Sequence, residues 1–253
     1  MNKTTYIIIG IVLFVLIVSK QMNKEGSESD ENIEPMDLNN KQANIKTIND
    51  RMLAWGITSR AARIGILSVI GKESGFIPQW ETTYKNTSNY RIRVIFETPT
   101  KGVSDAQLNE LKKNDYNFFN FVYNGTNGNI AGTDDGYKYR GSGFNQLTGR
   151  GNYQDMENKT GIDLIDEPEL NNTILVATET LLHYFQSRWN SDRGKAKLKT
   201  KNYNKINDIN DVDFAVRYFC NLNAGLGRDL NGKVVNRAVE LAKPYQKSLE
   251  TIL

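Results

Sequence analysis

A mainly α-helical fold is predicted: a multi-helix globular domain with long loops, preceded by an N-terminal transmembrane helix. Three observations predict it: one unbroken apolar run near the start, apolar residues recurring at helical spacing from Ala43 onward, and little strand-like alternation. With 253 residues, 39% hydrophobic and 24% charged, the chain can bury one ordinary core plus an appendage, which excludes wholesale disorder. Five prolines exclude a collagen-like fibre, and Cys220, the one cysteine, cannot staple a fold. No Cys/His cluster offers a structural zinc site, and with His183 as the one histidine a Ser-His-Asp or Cys-His relay is not expected. A net charge of +3 is too weak to argue for nucleic acid.

The elements follow in order. Residues 4–19 read TTYIIIGIVLFVLIVS, uncharged, with Lys3 and Lys20 at the ends. As a helix they span ~24 Å, short of a hydrocarbon core of ~30 Å by an amount that bilayer thinning or snorkelling lysines absorb. A cleavable signal peptide is the rival reading, but the SKQMNKEG that follows has no A-x-A-like pair. Residues 1–20 are therefore read as a membrane anchor and residues 21–42 as a flexible polar linker, with the globular domain at 43–253. The linker carries Glu25, Glu28, Asp30, Glu31, Glu34 and Asp37 and shows no period that could bury apolar surface. Residues 1–42 sum to −2, which leaves +5 on the domain; that suits an anionic polymer without being diagnostic of one.

Within the domain, Ile45, Ile48, Met52 and Trp55 share a helical face that stops at Gly56. Thr58 or Ser59 caps a second helix with the stripe Ala62, Ile66, Val69, Glu73. Ser104 and Gln107 form a capping box. Pro168 is expected to open a long helix with Leu170, Ile174, Ala177, Leu181, Tyr184 and Arg188 on one face. Asp211 caps Phe214 to Asn221, and a last helix from Val234 to Ala242 ends before Pro244. Glycine- and asparagine-rich loops occupy 124–136 and 141–151.

Glu73 continues an apolar stripe at the C-terminal end of its helix, where poor hydration and the negative end of the dipole disfavour ionisation. A carboxylic acid held protonated is what a general acid needs to protonate a glycosidic oxygen. A helix-end salt bridge with Lys72 or an arginine is the alternative. Glu81 lies eight positions on, and a second carboxyl could activate water; Glu97, Asp134 and Asp135 compete for that role by position. From Tyr137 to Tyr153 the chain reads YKYRGSGFNQLTGRGNY. Its glycines let backbone approach a ligand, Gln146, Thr148 and Asn152 offer short donors and acceptors, and Tyr137 and Tyr139 offer flat faces for sugar rings. A purely structural glycine-rich bend remains the alternative; a nucleotide loop does not, for want of the P-loop lysine and a preceding strand.

These segments together resemble the family 19 chitinases, in their compact bacterial and phage endolysin branch. The resemblance rests on Lys72-Glu73-Ser74-Gly75-Phe76, Glu81, Asp135 to Gly141, Gln146-Leu147-Thr148 and Asn152-Tyr153, and covers roughly Ile45 to Ala242. It implies a lysozyme-like helical fold and cofactor-free, metal-free hydrolysis of β-1,4 bonds beside N-acetylglucosamine, with inversion. It also implies Glu73 as general acid, Glu81 as general base, Thr148 as a holder of the attacking water, and Gln146, Asn152 and Asn223 as sugar ligands, with Asn221 an alternative to Asn223. The sequence departs from the pattern in three places: Lys72 replaces the usual histidine, Ser142 replaces an arginine, and one glycine after the acid is missing.

His183 and Cys220 are read as structural, and Trp55, Trp80 and Trp189 as core residues, with Trp80 beside Glu81 the exception worth testing. The leading expectation is a membrane-tethered peptidoglycan hydrolase, held to the lipid bilayer through residues 4–19 with its domain outside the cytoplasm or in a virion. A linker of about 20 residues reaches ~25 Å, which suits a substrate close to the membrane. A chitinase acting on chitin or chito-oligosaccharides is the alternative. A catalytically weak glycan-binding envelope or virion protein is the third reading.

Overall fold

Helices form here where apolar side chains recur every three or four residues and a short polar side chain can cap the first turn. The computed structural model describes residues 38–253, of which 63% are helical, with no strand among them. The anchor at 1–20 and linker residues 21–37 lie outside the described residues. The remainder of the expected linker is ordered: Leu38 is buried, Asn39–Lys41 make a 3-10 turn, and a helix starts at Gln42. An apolar side chain with somewhere to pack explains why the polar pattern ends sooner than expected.

The helices are α1 Gln42–Ala54, α2 Arg60–Ser74, α3 Asn89–Ile95, α4 Glu97–Thr100, α5 Asp105–Leu111, α6 Asp115–Val122, α7 Asp135–Lys138, α8 Arg150–Thr160, α9 Ile174–Trp189, α10 Asp192–Lys199, α11 Val212–Ala224 and α12 Lys233–Ile252. They fall into two units. One is discontinuous, comprising 38–77 and Ile174–Leu253; the other, Pro78–Thr173, is inserted between its halves in the chain.

In the discontinuous unit α2 is the central element. Ser59 caps it by accepting from the Ala62 N–H, and Ala62, Ile66, Val69 and Glu73 are buried as the stripe predicts. Burial extends well beyond that stripe, to Ile64, Leu67 and Ile70 among others. α2 packs against α11 and α12, and α9 against α1. Two glycines allow the close approach: a Cβ on Gly65 would lie 2.8 Å from the Ala215 carbonyl carbon, and one on Gly71 2.5 Å from the Tyr245 ring.

Two expectations are corrected in this half of the chain. Pro168 opens only the 3-10 turn Pro168–Asn172; Thr173 is extended, and α9 starts at Ile174. The turn is held apart from the helix by its asparagines, since Asn171 Nδ2 donates to Ser142 Oγ at 2.7 Å and Asn172 Oδ1 accepts from the Gly143 N–H at 3.0 Å. The last helix also runs through Pro244 to Ile252. Proline removes one ladder hydrogen bond, but the buried series Val235, Val239, Ala242, Gln246, Leu249 keeps helical spacing on both sides of it, so packing outweighs the break.

The inserted unit has its own core of Tyr84, Ile92, Phe96, Leu108, Phe118, Phe119, Val122 and Tyr123. Its rings meet mostly edge to face, as Tyr84 and Phe96 do at 5.2 Å between centroids. The Ser104–Gln107 capping box forms as expected at the start of α5. An isolated antiparallel bridge, Ser142 to Leu147, closes the glycine-rich turn before α8.

Gly65→Ala is expected to cost about 1–3 kcal/mol by overpacking the α2–α11 contact, lowering the melting temperature by roughly 2–4 °C per kcal/mol in a calorimetric scan.

Candidate active site

Glu73 belongs to the discontinuous unit and Glu81 to the inserted one. Each carboxyl is built by its own surroundings.

α2 ends at Gly75, which adopts φ 57°, so Glu73 sits in the last turn of a buried helix. Adjacent helical side chains diverge, yet the long stem of Lys72 bends back and its ammonium forms an ion pair with Glu73 Oε1. Both side chains are nearly enclosed, at 6% and 3% exposed. The salt bridge that the sequence left as the alternative is therefore present. Asn223 Nδ2 donates to the same Oε1 at 2.9 Å. Oε2 is buried and meets no hydrogen-bond partner among the described residues. Asn221 is not at this carboxyl: it is fully buried and donates to the Arg228 carbonyl, which leaves Asn223 as the asparagine beside Glu73. Tyr184 is pushed up to about 12, by burial first, with the Arg188 guanidinium 3.8 Å from its ring centre pulling the other way. Burial likewise raises Cys220 to about 12, as befits an inert core thiol. His183 is partly buried, 3.6 Å from Glu179 and edge-on to Trp55, a structural setting.

Glu81 is buried too, and hydroxyls meet it instead of a cation. Tyr84 donates to Oε1 at 2.8 Å, and Tyr123 reaches both oxygens at 3.1 and 2.9 Å. The Gly141 N–H donates to Oε2 at 3.2 Å while the Glu81 N–H donates to the Gly141 carbonyl at 2.6 Å. Burial pushes the Glu81 carboxyl above its usual range, against the opposing pull of Tyr84, Tyr123, Gly141 and the Arg140 charge. Burial, followed by the Glu81 charge, holds both tyrosines well above the ordinary phenol range. A Cβ at position 141 would lie 2.6 Å from Gln146 Oε1 and 3.2 Å from Glu81 Oε2, so a larger residue there would displace the Gln146 amide and crowd the carboxyl.

Around this carboxyl the Arg140 guanidinium lies 4.1 Å from the Trp80 ring centre and 4.0 Å from that of Tyr137. Tyr137 is half-buried and keeps part of its surface open, whereas Tyr139 is completely buried, its hydroxyl donating to the Ile165 carbonyl at 3.0 Å. Tyr139 is thus a core residue and no sugar platform, a correction that follows from its packing against Tyr153. Gln146 takes a positive φ of 50° and donates to the Gln79 and Gly143 carbonyls. Thr148 Oγ1 donates to the Gln146 carbonyl at 2.8 Å, and Asn152 Nδ2 to the Thr148 carbonyl at 2.7 Å. Gln146, Thr148 and Asn152 therefore shape one turn together. Of the competing acids, Glu97 and Asp134 are exposed; Asp135 is buried but committed, accepting from the Ile130 N–H and lying 3.6 Å from Arg150.

Sequence reasoning did not assign roles to Tyr84 and Tyr123, although a tyrosine three residues after Glu81 was a signal. The lock on the glycine-rich turn was also missed: Ser142 Oγ lies 2.6 Å from Tyr153 Oη and accepts from Asn171. Nothing in the spacing brings Asn171 to Ser142.

The chain matches no known family model, and no curated protein is significantly similar to it. No group of three or more His, Cys, Asp or Glu residues among the described residues is placed to hold a metal ion. No helix among the described residues is long and apolar enough to cross a membrane; the expected anchor at 4–19 lies outside them.

Because its folded pKa is raised, Glu81 contributes stability that is full below the usual glutamate value of about 4.3 and is lost as pH rises through the folded value. The melting temperature of the wild type relative to Glu81→Gln is expected to be greatest at or below pH ~4 and to fall as pH rises above the ordinary glutamate value, measured as a pH series of thermal melts.

Proposed function

We propose that this chain is a membrane-tethered glycoside hydrolase that cleaves β-1,4 bonds beside N-acetylglucosamine in peptidoglycan, with inversion at the anomeric carbon. The observation that carries the reading is a pair of buried glutamates, each held by dedicated polar partners, in the two segments where the family 19 resemblance puts acid and base. Glu73 gives its proton to the leaving glycosidic oxygen; Glu81 takes one from the water that attacks the anomeric carbon. One C–O bond breaks, one forms, and the two carboxyls exchange protonation states. With Oε1 occupied by Lys72 and Asn223, Oε2 is the atom assigned to the proton transfer. Thr148 serves the water, Gln146, Asn152 and Asn223 serve the sugar, and Tyr137 supplies the aromatic face. Anchoring through residues 4–19 holds the domain near the bilayer, outside the cytoplasm or in a virion, where cell-wall glycan is in reach and distant chitin is not.

Glu73→Gln is expected to lower hydrolysis of purified walls by about 10²–10⁴-fold in a turbidity assay while sparing glycan binding. Undiminished lysis by that variant removes the acid assignment. Reducing-end analysis of the digest, muramic acid against glucosamine, identifies the bond, and release of soluble sugar from chitin in preference to wall lysis favours the chitinase reading.

Lys72→Met gives a second expected outcome. If the ammonium positions Glu73, loss of rate on ordinary glycosides, about tenfold or more, is accompanied by near-normal rates on substrates whose activated leaving groups need no proton, with Lys72→Arg recovering part of the loss. Equal loss on both substrate types marks a merely structural role.

A further inference from the structure

The positive charge of this protein is concentrated in one short stretch. Residues 192–205 hold six cations, Arg193, Lys195, Lys197, Lys199, Lys201 and Lys205, against a single acid, Asp192. The rest of 43–253 carries twenty-two cations and twenty-two acids, so this stretch accounts for the whole +5 of the domain.

Local structure keeps these charges outward. α10 buries only Gly194 and Leu198, four residues apart on one face. A Cβ on Gly194 would lie 2.1 Å from the Arg188 carbonyl oxygen, so the helix lies directly against the C-terminal end of α9 and cannot roll. With 194 and 198 facing in, Arg193 and Lys197 fall along one flank and Lys195 and Lys199 along the other. Lys201 and Lys205 extend the row past the helix, where Tyr203 donates to Asn210 and Asn204 and Lys205 donate their N–H groups to Asp208. Arg193, Lys195, Lys199, Lys201 and Lys205 are exposed, and none makes a salt bridge among the described residues; Lys197 is turned to the Arg228 carbonyl. Elsewhere among the described residues three exposed lysines are paired within about a turn, Lys46 with Asp50, Lys113 with Glu110 and Lys159 with Asp155, while Lys85, Lys101 and Lys233 stand singly; the stretch differs in gathering five such cations together.

We propose that the surface formed by α10 and the turn after it, residues 192–205, is a docking site for a linear phosphodiester polymer of the cell wall. The inference depends on the functional reading above only for where that polymer is met. Charge complementarity selects a polyanion, and the residue types select among polyanions. Five of the six cations are lysines, point charges suited to phosphate; the stretch has one arginine, Arg193, and one aromatic, Tyr203, whose ring packs against Phe214, a thin set for reading bases. An anionic bilayer is disfavoured because the stretch presents no large apolar side chain to insert, Leu198 being buried.

The test is capture of the full-length chain, in non-ionic detergent, by intact cell walls and by walls stripped of phosphodiester polymer with hydrofluoric acid, across a salt series. Intact walls are expected to bind at least tenfold more tightly than stripped ones, with log affinity falling linearly against log salt. The variant Lys195→Gln/Lys199→Gln/Lys201→Gln/Lys205→Gln should lose that preference and flatten the slope by about 3, near 0.7 per charge removed, while hydrolysing a neutral chito-oligosaccharide as the wild type does. Equal capture by both wall preparations, or an unchanged slope in the variant, overturns the proposal. So does tighter capture by duplex DNA or anionic vesicles than by intact walls. Capture is read without turnover: a chain that binds in this way but cleaves nothing defeats the hydrolase reading alone, and one that cleaves without salt-dependent capture defeats this inference alone.

Discussion

The reciprocal clasp between Glu81 and Gly141 is the interaction on which the inserted unit depends. Through it the segment after Pro78 and the glycine-rich turn hold each other by main chain and side chain at once. The tyrosines that complete it are themselves fixed by hydrophobic packing, since Tyr84 and Tyr123 belong to the aromatic core. A carboxylate taken out of water is tolerable when donors replace its hydration, and here apolar packing decides where those donors stand. Core and site in this unit are one construction.

The discontinuous unit meets the same difficulty differently. Glu73 lies on a helix buried over most of its surface, and its Oε1 is met by Lys72, its neighbour in sequence, and by Asn223 from α11. The arrangement is incomplete, because Oε2 has no donor among the described residues. A half-satisfied buried polar group costs stability and persists where something other than stability holds it there. Glu81 has a donor on each oxygen and Glu73 does not, and that asymmetry distinguishes the two carboxyls more sharply than burial does.

Much of the helical framework was legible in the sequence because it rests on local rules. The stripe through Glu73, the Ser59 cap, the Ser104–Gln107 box and the Asp211 cap each depend on residues within one or two turns. The failures occurred where distant contacts outweigh local ones. Pro244 reads as a terminator, yet Ala242 and Leu249 are buried on either side of it. Pro168 reads as the start of a long helix, yet Asn171 and Asn172 are drawn to the glycine-rich turn. At the candidate site the hydrogen-bond partners were not readable: alternation placed Tyr137 and Tyr139 alike, and only packing separates a half-open ring from an enclosed one.

The interrupted connectivity of the discontinuous unit bears on how the chain is made. Glu73 and Asn223 lie 150 positions apart, with the whole inserted unit synthesised between them. At a ribosomal pace of about 5–20 residues per second, α2 emerges roughly 10–30 s before the helices that cover it. During that interval Ile64, Ile66, Leu67, Val69 and Ile70 have no α11 or α12 to pack against, while the inserted unit already holds every residue of its own core. The nascent protein thus leaves a helix that ends up buried over most of its surface long uncovered, making α2 the segment for which a chaperone, or a neighbouring nascent chain, competes.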